Sequence, residues 1–160
     1  MHNVYIALGS NLENPKEQIK NAILKIEKIT DTLVLAQSSL YETAPVGLLD
    51  QPNFINAAIK VQSKQKPHDL LKELQKIEHK AGRVRIIKNE PRILDLDILL
   101  IDNLVFDTIK LTVPHPRMHK RLFVLIPLSE INQNIDIPGF GLIRNIISTL
   151  PTQHVTRLKD

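Results

Sequence analysis

The run NVYIAL over residues 3–8 has the period of a strand and is closed by Gly9-Ser10-Asn11. Asn14-Pro15 then predicts a helix start, with the Asn14 side chain capping and Pro15 placed where its missing N–H does no harm. Ile19, Ala22, Ile23 and Ile26 follow at the spacing of one helical face. Residues 32–41 return to a strand pattern, and the loop TAPVGLLDQP leads into a further strand over 54–62. In that run Ile55, Ala57, Ile59 and Val61 alternate with Phe54, Asn56, Ala58 and Lys60. After Pro67, the spacing of Leu70, Leu74, Ile77 and Ala81 predicts a second amphipathic helix, stopped at Gly82. A fourth strand over 93–101 ends in the turn residues Asp102-Asn103. Beyond Leu104 a strand over 110–113, a helix from Pro116, a short strand near 135–137 and a last helix over 142–150 complete the pattern.

The order β-α-β-β-α-β predicts an α+β, ferredoxin-like domain: an antiparallel sheet with helices on one face, plus a C-terminal extension of short strands and helices. With 160 residues, 42% hydrophobic and 24% charged, and no repeat or linker, one domain over 1–160 is expected. No apolar run approaches a membrane span. The first residues go directly into a strand pattern without a signal-like segment, and cysteine is absent. The expected location is the cytoplasm. A net charge of +4 favours anionic partners, nucleotides included.

Chemistry concentrates in PRILDLDILLID, residues 91–102, where two aspartates interrupt an apolar strand. In an extended chain Leu94, Leu96 and Ile98 share one face, and Asp95 and Asp97 share the other, with α-carbons roughly 6.5 Å apart. Like charges at that distance repel unless a cation sits between them, and magnesium takes such oxygen ligands while sharing its remaining positions with phosphates. The plainer reading is a pair of aspartates on a wet sheet face, neutralised by arginines. Arg83, Arg85 and Arg92 flank the loop that precedes the strand. Arginines beside a carboxylate–metal site suit phosphoryl transfer, but they also suit simple charge pairing. Both readings stand on these residues alone.

The five glycines form no Walker-type phosphate loop and no G-x-G-x-x-G, so a triphosphate would be held by side chains and metal. Zinc is not expected without cysteine or an H-E-x-x-H helix. His115, beside Pro116, is placed either to cap the following helix or to touch a ligand.

Several separated motifs, in order, resemble the 6-hydroxymethyl-7,8-dihydropterin pyrophosphokinase family: YIALGSNL, SSLYETAPVG, DQPNFINAA, GRVR, PRILDLDILL and LTVPHPRMHKRLFVL. The resemblance spans nearly the whole chain and implies the ferredoxin-like fold reached above. It further implies pyrophosphate transfer from ATP to the pterin hydroxymethyl group, with release of AMP, in folate biosynthesis. Two magnesium ions (Mg2+) would be held by Asp95 and Asp97, and Arg83 and Arg92 would stabilise the moving phosphates, with Asp97 counted among the catalytic groups. The pterin pocket implied is Thr43, Pro45, Val46, Phe54, Asn56 and Phe123, with Phe54 and Phe123 flanking the ring. The ATP side implied is Gln75, Glu78, Arg85, Ile98, Lys110, Thr112, His115 and Arg121.

The chain departs from the family pattern at Asn89-Glu90, where Trp-Gly is frequent, and at Ala44, where proline is frequent. Slower loop closure is the expected consequence. A nucleic-acid-binding module on the same sheet is the alternative class, but aromatics are 4% of the chain and no RNP-like strand is present. An inactive relative that binds without turnover is a third reading. A monomer is expected, with small-molecule partners and neither nucleic acid nor membrane.

Overall fold

A computed structural model describes residues 1–45, 50–82 and 93–159. In chain order the elements are β1 (His2–Ser10), α1 (Pro15–Glu27), β2 (Thr32–Gln37), β3 (Tyr41–Thr43), β4 (Phe54–Ser63), α2 (Pro67–Lys80) and β5 (Asp95–Ile101). The C-terminal part adds β6 (Phe106–Asp107), β7 (Thr112–Val113), α3 (Leu122–Ile131), β8 (Asp136–Ile137), β9 (Gly141–Leu142), α4 (Ile143–Thr149) and β10 (Val155–Arg157). The main sheet runs β10-β3-β4-β1-β5, with β2 also on β4, and all its pairings are antiparallel. The fold is the ferredoxin-like α+β arrangement with a C-terminal extension.

Strand alternation sorts two cores. Val4, Ile6 and Leu8 of β1, Ile59 and Val61 of β4, and Leu96 and Ile98 of β5 pack against Ile19, Ala22 and Ile26 of α1 and Leu70, Leu74 and Ile77 of α2. On the other face Tyr5, Ala58 and Leu100 pack against Val124, Leu125 and Leu128 of α3 and Ile143 of α4. The two central helices thus lie on one face as expected. The extension, whose position the sequence pattern does not specify, covers the opposite face. Asp95 and Asp97 project to that covered side, not to a fully wet surface.

Local differences have local causes. Pro15 does open α1, but Asn14 lies in the left-handed region at φ 61° and makes no side-chain cap bond. Its backbone carbonyl accepts the first helical hydrogen bond, from Gln18 N–H at 3.0 Å. The strand expected over 32–41 is broken at Ser38-Ser39, so that β2 and β3 pair with different halves of β4. The serines divert the ladder: Ser38 Oγ accepts from Ala58 N–H at 2.9 Å, and Ser39 N–H donates to both Glu130 carboxylate oxygens at 3.0 Å. The expected 110–113 strand is the shorter β7, paired with β6 in a hairpin. The helix expected from Pro116 begins as a 3-10 turn, Met118–Lys120, before α3.

Glu130 ties this break to the C-terminus. Its carboxylate accepts from Tyr41 Oη at 2.5 Å and Ser39 Oγ at 3.0 Å, with Arg157 Nη2 at 3.8 Å. Burial, reinforced by Glu130, pushes the Tyr41 phenol up to about 12. Partial burial raises the Glu130 carboxyl, but the bonds from Tyr41 and Ser39 and the charge of Arg157 outweigh it and hold the group below its ordinary value. A depressed carboxylate stabilises the fold above the unfolded-state value and loses that contribution as pH falls through the folded-state value. Glu130→Gln should therefore cost about 1 kcal/mol at pH 7 after solvent screening. It should also flatten the acid limb of a stability-versus-pH curve measured by urea unfolding. An unchanged acid limb would remove Glu130 from this role.

Candidate active site

The sheet face under α3 carries rows of residues across three strands. Asp95 of β5 pairs with Gly9 of β1, which pairs with Asn56 of β4; Asp97 pairs with Ala7, which pairs with Ala58. Small residues therefore stand between the carboxylates and the Asn56 side, and space remains above them. That space is a cavity of about 450 Å³. Asp95, Asp97, Thr43, Phe54, Asn56, His115, Arg121 and Phe123 all line it. A mixed polar and aromatic lining of this kind is what a flat, hydrogen-bonding ligand with a charged tail requires.

Each wall is held by its own bonds. Asn56 is buried, and its Nδ2 donates to Thr43 Oγ1 at 2.7 Å, joining β4 to β3. A Cβ added at Gly9 would stand 2.9 Å from Asn56 Oδ1, so the glycine permits the amide to lie over β1. Gly9→Ala should tilt the amide and weaken binding of a flat ligand seated against Asn56 roughly tenfold, measured by fluorescence titration with the pterin that the motif resemblance implies. Equal pterin affinity in the variant would show that Asn56 does not need its present position. Next to Gly9, Ser10 Oγ donates to the Ile93 carbonyl, and Asn11 Nδ2 donates to Gln51 Oε1 at 2.8 Å and to the Pro52 carbonyl at 2.9 Å. The end of β1 thus anchors the chain where it enters β4 and β5.

On the α3 side, His115 N–H donates to the Leu99 carbonyl at 2.9 Å, which fixes this residue beside β5. Its Nδ1 accepts from Arg117 N–H at 3.1 Å, leaving Nε2 as the ring's donor. Burial, reinforced by the charges of Arg121 and Arg117 and opposed by Asp95, pushes the imidazole down to about 4. It is neutral at pH 7. Because the unfolded chain takes up this proton first, acidification from about 6.5 toward 4 works against the fold. The Arg121 guanidinium carbon lies 5.5 Å from the centroid of the Phe123 ring, so charge and aromatic surface reach the cavity as one unit.

The structure brings together Asp95 and Asp97, Thr43, Phe54, Asn56 and Phe123, which were expected to bind the pterin, and His115 and Arg121, which were expected to bind ATP. Pro45 adjoins Ala44, which lines the cavity. Other expected residues stand elsewhere. Ile98 packs in the core toward the helices, Gln75 and Lys110 are exposed, and Thr112 Oγ1 donates to Asp107 Oδ1 at 2.7 Å within the β6–β7 hairpin. Glu78 is 5% exposed and accepts from Leu96 N–H at 2.8 Å, the peptide between the two aspartates. Val46, Arg83, Arg85 and Arg92, with Asn89-Glu90, lie outside the described residues. Sequence reading did not single out Ala7, Gly9 or Arg117 as site residues, and these also line the cavity, as does Ala44. For Gly9 and Ala7 the available signal was the alternation that sets both on the Tyr5 face of the first strand, opposite Val4, Ile6 and Leu8.

A hard divalent cation fits this wall. Among the described residues no three acidic or imidazole side chains converge as a metal cage, so the protein would offer the two carboxylates of Asp95 and Asp97. Magnesium is held in that manner, by one or two carboxylates with phosphate and water completing its shell.

The family model described as 7,8-dihydro-6-hydroxymethylpterin-pyrophosphokinase (HPPK) matches residues 5–133. The chain is 40% identical over 158 residues to the 2-amino-4-hydroxy-6-hydroxymethyldihydropteridine pyrophosphokinase of Haemophilus influenzae, covering 99% of each. It is 41% identical over 155 residues to the Pseudomonas aeruginosa protein of that name, covering 97% of this chain and 96% of the relative. A crystallised HPPK-DHPS in complex with substrates has the same fold at a TM-score of 0.73 and 13% identity. That match takes in 93% of this chain but 45% of the other, so the chain spans less than half of that longer protein. The class is a diphosphotransferase, a pyrophosphokinase. The chain belongs to the HPPK family.

Proposed function

We propose that the protein transfers the terminal pyrophosphate of ATP to 6-hydroxymethyl-7,8-dihydropterin, as a step of folate biosynthesis. The pterin hydroxymethyl oxygen attacks the β-phosphorus and gives up its proton to solvent, the bond from that phosphorus to the α–β bridging oxygen breaks, and AMP leaves with that oxygen. The observation that carries this reading is one cavity lined by Asp95 and Asp97, by Phe54 and Phe123, and by Arg121.

Phe54 and Phe123 flank the pterin ring, while Asn56 and Thr43 bond its polar edge; Pro45 and Val46 complete that pocket. Arg121 meets the phosphates, and neutral His115 offers them its Nε2–H. Arg83, Arg85 and Arg92 join the phosphate side on the sequence motif alone. Gln75, Lys110 and Thr112 belong to the nucleotide side on the family resemblance alone, whereas Glu78 and Ile98, also implied by it, are buried on the helix side of β5. Asp95 and Asp97 would hold two magnesium ions, which when bound offset the charge of the phosphates. Preorganised arginines do the same for charge that spreads over the transferred group. The account is of a cytoplasmic monomer with two small-molecule substrates.

Product analysis tests it. Incubation with ATP, magnesium and the pterin alcohol should yield AMP and pterin diphosphate in equal amounts, and a chelator should stop both. ADP as the nucleotide product would overturn pyrophosphate transfer. Binding without turnover would favour the inactive relative and direct attention to Asn89-Glu90.

A further inference from the structure

Helix α3 begins without a side-chain cap from its own N-cap residue, Arg121, whose backbone is extended at φ −121° and ψ 103°. The N–H of Leu122 is bonded from a distant part of the chain instead, by Gln153 Oε1 at 3.0 Å. The same side chain's Nε2 donates to the Lys120 carbonyl at 3.2 Å. One amide therefore grips the peptide groups on both sides of Arg121. The Arg121 backbone is committed as well: its N–H donates to the Met118 carbonyl at 3.2 Å, and its carbonyl accepts from Val124 and Leu125 N–H, each at 3.0 Å.

Gln153 is itself held between two walls of the cavity. Two residues later the chain enters β10, where Val155 pairs with Thr43 and Arg157 with Tyr41. Leu158 N–H then donates to the Leu40 carbonyl at 2.9 Å. The C-terminal segment thus spans from the β3 wall, through Thr43, to the α3 wall, through Arg121 and Phe123.

We propose that Gln153 is a positioning residue for the nucleotide-binding wall: its side-chain amide, bonded to Lys120 and Leu122, aims the Arg121 guanidinium at the substrate phosphates. The inference rests on the proposed phosphate role of Arg121. A helix cap alone would add stability without touching affinity. A positioning residue must move affinity through Arg121, because a small displacement of a charge from its anionic partner loses binding steeply.

Gln153→Met keeps the length of the side chain and removes both bonds. By isothermal titration with ATP and magnesium, its dissociation constant should rise roughly 5- to 20-fold. In an Arg121→Ala background the same substitution should change ATP affinity by less than about twofold, because the interaction it supports is gone. The Arg121 Nε–H resonance of the ligand-free protein should shift or broaden in Gln153→Met. If that variant does not fold, Gln153→Glu keeps the acceptor for Leu122 N–H, loses the donor to Lys120, and should show a smaller rise. Unchanged affinity, or an equal loss in both Arg121 backgrounds, overturns the inference. Wild-type protein that binds no ATP would instead sink the proposed function. The Arg121 resonance then decides the positioning role alone, and an unmoved signal overturns it.

Discussion

Asp95→Asn and Asp97→Asn should each lower turnover by roughly 10²- to 10⁴-fold, the range typical of losing one preorganised charge at a reacting phosphate. The fold should not suffer. Both carboxylates are half-buried on one face of β5, opposite Gly9 and Ala7, and neither is part of the helix-facing core. A neutral isostere at either place leaves that core intact, so the melting temperature should change by no more than about 4 °C. The measurement is AMP production beside a thermal melt. Full activity in either variant would contradict a metal-holding role, and a large loss of stability would recast the pair as structural.

The second large effect is expected away from the reacting atoms. Glu78 of α2 is buried and accepts from Leu96 N–H, so it fixes the peptide that separates Asp95 from Asp97. Glu78→Met fills similar space and strands that N–H. The cost should be about 2–3 kcal/mol, the penalty for an unsatisfied buried donor that had a charged acceptor. For a chain of this size that is a fall in melting temperature of roughly 4–10 °C. Turnover at a temperature where the variant is folded should also fall, because the aspartates lose their fixed spacing. Glu78→Gln, which still offers an acceptor oxygen, should recover most of the stability. If Glu78→Met melts like the wild type, the Leu96 bond is not an anchor. If it destabilises but turns over normally, the anchor serves the fold and not the site.

Much of this was legible in the chain. The alternation in NVYIAL and NFINAAIKV predicted β1 and β4, and the leucine spacing after Pro67 predicted α2, because each presents a regular apolar row to the core between sheet and helices. The placement of Asp95 and Asp97 on one face followed from the same period. The break between β2 and β3 was not legible, because the pattern over 32–41 continues through Ser38-Ser39 and only tertiary partners, Ala58 and Glu130, end the ladder there. Nor was the destination of α3: its residues are apolar nearly all round, which predicts burial but no particular face. Glu78 was named for the nucleotide side, but its burial, which was readable, was missed. It lies one turn after Leu74, on the buried stripe, where a solvated glutamate does not belong. Gln153 acts on Leu122 from 31 residues away, and no local pattern announces such a contact.

Asp95 and Asp97 are proposed to hold the metal on which pyrophosphate transfer depends. Manganese binding followed by electron paramagnetic resonance, with a non-hydrolysable α,β-methylene ATP present, tests it most directly. Two bound ions per chain are expected in the wild type, with binding weakened at least roughly tenfold in Asp95→Asn and in Asp97→Asn. Equal stoichiometry and affinity in all three proteins would contradict it, since the ions would then be held by the nucleotide alone.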